Sequence, residues 1–260
     1  MCDLWQNTLS ETVPLGAIPE QIDYALDRLP SASHIKLYNS GSFFDPNAIP
    51  VDDYKAIAER VRSFENVIVE CHPALVGSDC LEFSDMLRGQ GARMEVAMGL
   101  ETVHPEILPK LNKRMTLELF AGSAETLRSH DIDLRAFILV KPPFMDEAEA
   151  GYWARQSIDY AFTCGASVAA LIPTRAGNGG MEVLEVRGEF SPPKLSTLEA
   201  VAAYGIKKKN GRVFVDIWDA LEWVECPHCL NARVSRLQDM NLRQVILPPI
   251  QCVHCCGADA

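Results

Sequence analysis

The chain of 260 residues is 48% hydrophobic and 23% charged, enough apolar material to offset the entropy lost on folding, which rules out disordered, collagen-like and fibrous classes. Its 24 Lys and Arg against 35 Asp and Glu leave a formal charge of −11, which argues against nucleic-acid binding by the chain unaided. The length fits one domain of barrel size with an appendage or two small domains, and one main core is expected.

The opening MCDLWQNTLSE has neither a basic n-region nor an apolar h-region, and no apolar stretch reaches the roughly 18 to 20 residues of a spanning helix, so a cytoplasmic protein without membrane contact is expected. A loop-like CDLWQNT leads into a helix from about Pro19 to Leu29. Strands are then predicted at Ile35 to Asn39, Val67 to Cys71, Met94 to Met98, Leu134 to Val140 and Ser167 to Ile172. Their starts follow one another at intervals of roughly 30 residues, the length of a βα unit. Tyr54, Ile57, Ala58 and Val61 fall on one helical face, as do Ala154, Ile158, Ala161 and Phe162, and Thr116 to Ser129 reads as a third helix.

Strands alternating with helices imply an α/β fold with a parallel sheet and right-handed crossovers. Each strand is followed by a polar or Gly-bearing loop: SGSFFD, HPALVGSD, GLETVHP, KPPFMD and PTRAGNGG. Such loops build the ligand site of a βα barrel. The first helix has no strand in front of it, so the expected fold is a partial (βα) barrel lacking its first strand, over residues 1–195. GEFSPPKL reads as a linker, and residues 196–225 as a connecting helix, Leu195 to Lys209, and strand, Arg212 to Trp218. Lys207, Lys208 and Lys209 read as a solvated helix end.

Five of the nine cysteines lie between Cys226 and Cys256. Cys226-Pro227-His228-Cys229 and Cys252-Val253-His254-Cys255 are two knuckles with 22 residues between them, a spacing that supplies four thiolates to a tetrahedral zinc. Residues 226–260 are therefore expected to form a zinc-ribbon-like module, with Cys256 or a nearby histidine as alternative fourth ligand. Cys71, Cys80 and Cys164 read as small core residues.

Glu70, Glu95 and Glu101 sit in or just after apolar strands, where a carboxylate must be paired or face a solvated mouth. Glu70 and Glu101 are taken as ligand-facing. Glu95 is left open between a ligand role and a structural pair or outward-facing position, and Arg135 and Lys141 are candidate partners for these carboxylates. The turn Tyr38-Asn39-Ser40-Gly41-Ser42 and the glycines Gly177, Gly179 and Gly180 fit close approach to a ligand or an ordinary turn equally well.

Taken in order, CDLWQNT, YNSGSFFDP, VIVECHP, MEVAMGLET and LRAFILVKPPF resemble the radical SAM superfamily, and within it the group that contains the radical SAM subunit of archaeosine synthase. The resemblance covers roughly residues 1–195. It implies a Cys-x-x-x-Cys-x-x-Cys loop binding a 4Fe-4S cluster, with Cys2 as its third cysteine. By this resemblance the other two cysteines and the first strand would precede Met1, and the sequence is expected to continue a longer reading frame. Ser40, Gly41 and Ser42 then stand where the family meets the amino group of S-adenosylmethionine (SAM), assisted by Asn39. Glu70 and Glu101 stand where strand ends approach SAM, and Pro173 near adenine. The implied reaction is reductive cleavage of SAM to a 5′-deoxyadenosyl radical, with an electron donor as partner. The substrate is expected to be a tRNA base, with a partner subunit supplying basic surface, or a small molecule. The rival reading is an inactive barrel acting as a zinc-binding interaction protein. A metal-dependent barrel hydrolase using His72 and His104 is disfavoured, because no His-x-His pair occurs.

Overall fold

The computed structural model describes residue 9 and residues 11–177, 179–218, 220 and 225–255, so Cys2 and Cys256 lie outside the described residues. Six strands form one sheet: β1 (His34–Leu37), β2 (Asn66–Cys71), β3 (Arg93–Glu101), β4 (Asp133–Val140), β5 (Val168–Pro173) and β6 (Arg212–Val215). They lie in sequence order, β1 to β6, without a reversal. β1 pairs β2, β2 pairs β3 and β5 pairs β6 in parallel, with Ile35 beside Val67, Val67 beside Met94 and Val168 beside Arg212. This is the topology of an open βα barrel, as expected.

The helices are α1 (Ala17–Leu26), α2 (Tyr54–Val61), α3 (Ser78–Arg88), α4 (Ile107–Lys110), α5 (Leu117–Ser129), α6 (Glu147–Thr163), α7 (Gly180–Val186), α8 (Leu195–Lys208) and α9 (Leu230–Arg243). No described helix is long and apolar enough to cross a membrane. The chain divides into two compact units. One runs through Gly99 and takes in Lys113–Arg135; the other holds Leu100–Asn112 and the chain from Ala136 onward.

In the first unit α2 buries Tyr54, Ile57, Ala58 and Val61, the face its spacing predicts. α3 was hidden in the sequence because its stripe is Cys80, Phe83, Ser84 and Leu87, with the helical spacing present but two core positions held by Cys and Ser. Phe43, Phe44, Tyr54 and Phe83 make an aromatic core with ring centroids 4.8 to 6.1 Å apart. Each such pair contributes about 0.5–1.5 kcal/mol beyond the area it buries. The Phe43 amide donates to Glu70 O at 2.8 Å, so this core also fastens the turn after β1 to the end of β2. Thr116 Oγ1 caps α5 by accepting from the Leu119 amide at 3.2 Å.

In the second unit Ile107, Leu111, Leu139, Met145 and Ala150 pack with Phe144, Trp153 and Ile172. The helix and strand expected to connect the barrel to the cysteine module are α8 and β6, and β6 is the sixth strand of the sheet. α8 lies close on it: a Cβ at Gly205 would come within 2.8 Å of Val213 Cγ2, so only glycine fits. The 22-residue spacer between the cysteine knuckles is largely helical, α9 beginning directly after Cys229.

Candidate functional site

At the end of β1 the chain turns through Ser40, a non-glycine residue at φ 60. The turn is held from within and from β2. The Asn39 side-chain Nδ2 donates to Ser42 O at 3.2 Å, and the Gly41 amide donates to Glu70 Oε1 at 3.0 Å. The His72 amide donates to Ser42 Oγ at 2.8 Å. His72 Nδ1 accepts from the Ala74 amide at 3.2 Å, which leaves Nε2 to donate to Lys113 O at 2.9 Å. The expected residues Asn39, Ser40, Gly41, Ser42 and Glu70 thus form one hydrogen-bonded assembly.

Two features of this assembly bear on chemistry. Burial raises the Glu70 carboxyl above its ordinary value, only partly offset by the amides of Gly41, Asn39 and Ser40, which favour the carboxylate. Asn39 Oδ1 is buried and accepts no hydrogen bond. Its orientation is fixed, because Ser42 O can only accept and so selects Nδ2. Beside it, burial raises the Tyr38 hydroxyl to about 12, with Arg135 acting against and Glu70 and Glu95 with the shift.

Glu95 resolves to the structural alternative. It pairs with Arg135, Nε to Oε1 2.5 Å, with both side chains about nine-tenths buried. Lys141 is likewise committed, its Nζ 3.0 Å from Ser191 O, 2.5 Å from Ser191 Oγ and 3.5 Å from Glu147 Oε2. It pins the linker that the sequence marks at GEFSPPKL.

In the second unit Glu101 ends β3 at φ 63 and is buried, and Pro173 ends β5, also buried. Lys141, the residue after β4, sits at φ 53. Left-handed backbone at a non-glycine residue costs about 1–2 kcal/mol, and at Glu101 and Lys141 it occurs at the carboxyl ends of strands, where ligand loops are built.

The four cysteines converge. The ligand atoms of Cys226, Cys229, Cys252 and Cys255 all lie within 4.8 Å of one another, with Sγ–Sγ distances of 3.9 Å for Cys226 and Cys252 and 3.6 Å for Cys229 and Cys255. A tetrahedron with sulfur at about 2.3 Å from zinc has edges of about 3.8 Å, whereas a disulfide would need about 2.05 Å. Amides of His254 and Cys255 hold the Cys252 thiol down at about 7 against its burial, which suits a thiolate ligand. The rings of His228 and His254 stack on each other at 3.8 Å. Among the described residues Cys255, not a histidine, completes the group.

The structure also supplies polar contacts that sequence reasoning did not single out. Arg233 and Arg236 of α9 bridge Glu199, with Arg233 also on Glu225. Asn241 and Gln244 bond the backbone of β6. No other convergent group of three or more Cys, His, Asp or Glu occurs among the described residues. Apart from the four-cysteine group, the described residues hold no convergent set of three thiols, and Cys2 lies outside them.

No family model matches the chain. An uncharacterized protein of Methanocaldococcus jannaschii is 25% identical over 226 residues, 83% of this chain and 61% of that one. The archaeosine synthase subunit beta of Methanosarcina acetivorans is 25% identical over 203 residues, 75% of this chain and 58% of that one. The chain thus spans about three fifths of the length of these relatives. Among solved structures, Elp3 of Methanocaldococcus infernus superposes with a TM-score of 0.61 at 15% identity, over 92% of this chain and 60% of that one. The resemblance drawn from the ordered motifs agrees with these relatives, which include archaeosine synthase beta subunits, and the fold is shared with Elp3 and the methylornithine synthase PylB.

Proposed function

We propose that the chain, alike in fold and motifs to radical SAM enzymes, binds SAM at the Asn39–Ser42 turn and carries a zinc ion in its four-cysteine module. The observation that supports the first part is Asn39 Oδ1, an acceptor buried without a donor in a turn held by hydrogen bonds from Asn39 Nδ2, Gly41 N and His72 N. An ammonium group such as the amino end of SAM supplies that donor. The convergence of four sulfurs at tetrahedral spacing supports the second.

The chemistry that a 4Fe-4S cluster supplies when bound is the one electron that cleaves SAM to a 5′-deoxyadenosyl radical. Of the cluster ligands this chain offers Cys2. Its other residues bind and orient. Glu70 gathers the amides of residues 39–41 and so fixes the shape of the turn, while Ser42 Oγ ties it to His72. Glu101 and Pro173 are proposed as further SAM contacts, at the ends of β3 and β5. The names of the relatives support modification of a tRNA base together with a partner subunit, which would supply the basic surface that a charge of −11 lacks. An electron donor is required.

The test is anaerobic reconstitution with iron and sulfide, followed by SAM and a reductant. About four irons per chain and release of 5′-deoxyadenosine are expected. Zinc alone, with no iron and no SAM cleavage, would instead favour an interaction protein built on the same fold, the reading that the four-cysteine group supports by itself.

A further inference from the structure

Strand β6 is the last of the sheet, and its outer edge is closed by side chains. Its inner edge faces β5, with the Arg212 amide donating to Ser167 O at 2.9 Å and the Asp216 amide to Leu171 O at 2.8 Å. The backbone groups of Val213 and Val215 therefore point outward. Gln244 Oε1 accepts from the Val213 amide at 2.8 Å and Gln244 Nε2 donates to Val213 O at 2.9 Å. Asn241 Oδ1 accepts from the Val215 amide and Asn241 Nδ2 donates to Val215 O, both at 2.8 Å. Two primary amides, three residues apart at the end of α9, thus reproduce the ladder a seventh strand would make. Gln244 Nε2 also donates to Asn241 O at 2.8 Å, which fixes the orientation of its amide.

The segment that carries this seal is fastened at both ends by the cysteine group. α9 begins at Leu230 directly after Cys229, and the chain returns from Gln244 to Cys252, with Arg236 holding Leu247 O and Pro248 O at 2.6 and 2.7 Å. Among the described residues the buried cluster at the cysteine end is Cys226, Cys229 and Cys252 with Ile250 packed on it, too little to order the returning segment without a metal.

We infer that the outer edge of β6 is a strand-pairing surface that the metal-loaded cysteine module keeps covered, and that loss of the metal turns it into a contact between two copies of this chain. Released Val213 and Val215 groups match the same groups of a second copy across a twofold axis, each edge satisfying the other antiparallel. Leu242, Val245 and Ile246, exposed where α9 ends, add apolar surface beside the edge. The formal charge of −11 opposes the pairing, so salt promotes it.

The inference rests on the zinc reading for its trigger but not for the seal, and the experiment separates the two. Hydrogen exchange of the Val213 and Val215 amides and sedimentation mass are measured on the protein as purified, after chelator treatment, and on N241A/Q244A, with zinc quantified in each. Expected are slow exchange in the zinc-loaded protein, and exchange faster by roughly tenfold or more with doubled mass in both the stripped protein and the zinc-replete double variant. Should the alanine variant lose its helix, N241L/Q244M keeps the shape without adding charge and removes both donors and acceptors, and the same result is expected. A zinc-replete variant with unchanged exchange and mass overturns the inference. A protein that purifies without metal, yet responds to the double substitution, overturns the zinc trigger while leaving the seal standing.

Discussion

Arg135 on β4 reaches Glu95 on β3 at 2.5 Å, and neither side chain is more than 10% exposed. The pair lies on the sheet face opposite Val96 and Met94, since successive strand residues alternate. Removing Glu95 takes its carboxylate away from a buried guanidinium. E95A is expected to lower the unfolding free energy by about 3–5 kcal/mol in denaturant titration. R88A, which breaks a pair whose side chains are 56% and 74% exposed, should change it by about 0–1 kcal/mol. Equal effects would mean the Glu95 pair is hydrated.

Asn39 tests SAM binding. N39A deletes an acceptor that has no partner and one hydrogen bond to Ser42 O, so stability should shift by no more than about 1 kcal/mol. SAM affinity, read by calorimetry on the reconstituted protein, should fall by roughly tenfold or more. Unaltered affinity would remove Asn39 from the site.

Glu70 gives the chain a pH signature. Its folded-state value is raised, so its contribution to stability is present in full below the ordinary carboxylate range and is lost as pH rises through the raised value. E70Q keeps an acceptor for the Gly41 amide and cannot ionise. Its thermal midpoint should therefore lose part of the decline that the parent shows on going from pH 4 to 7, and a parallel pair of curves would count against burial as the dominant cause.

The identity of the fourth sulfur can be checked directly. C226A and C255A should each lose zinc in metal analysis and loosen α9 in hydrogen exchange, whereas C256A should retain both. Zinc lost only in C256A would reassign the ligand.

Local pattern was enough to read much of the fold. Strand positions, the apolar face of α2 and the four cysteines followed from periodicity and spacing, because each rests on residues close in sequence whose burial or ligation needs no distant partner to be inferred. Each Cys-x-x-Cys is a local turn, and the tertiary fold brings the two together. The sequence likewise marked the Asn39–Ser42 turn and Glu70, but not that the carboxylate would accept the turn's own amides.

What only the tertiary structure decided are the choices among partners far apart in the chain. Glu95 could have paired with Arg135 or Lys141, and register on adjacent strands settled it. α9 was illegible because its buried face includes Arg233 and Arg236, which are tolerable there only because Glu199 and Glu225 wait on other segments. The closing of β6 by Asn241 and Gln244 leaves no mark in composition or spacing, since an amide side chain mimics a peptide group only when packing delivers it to an open sheet edge.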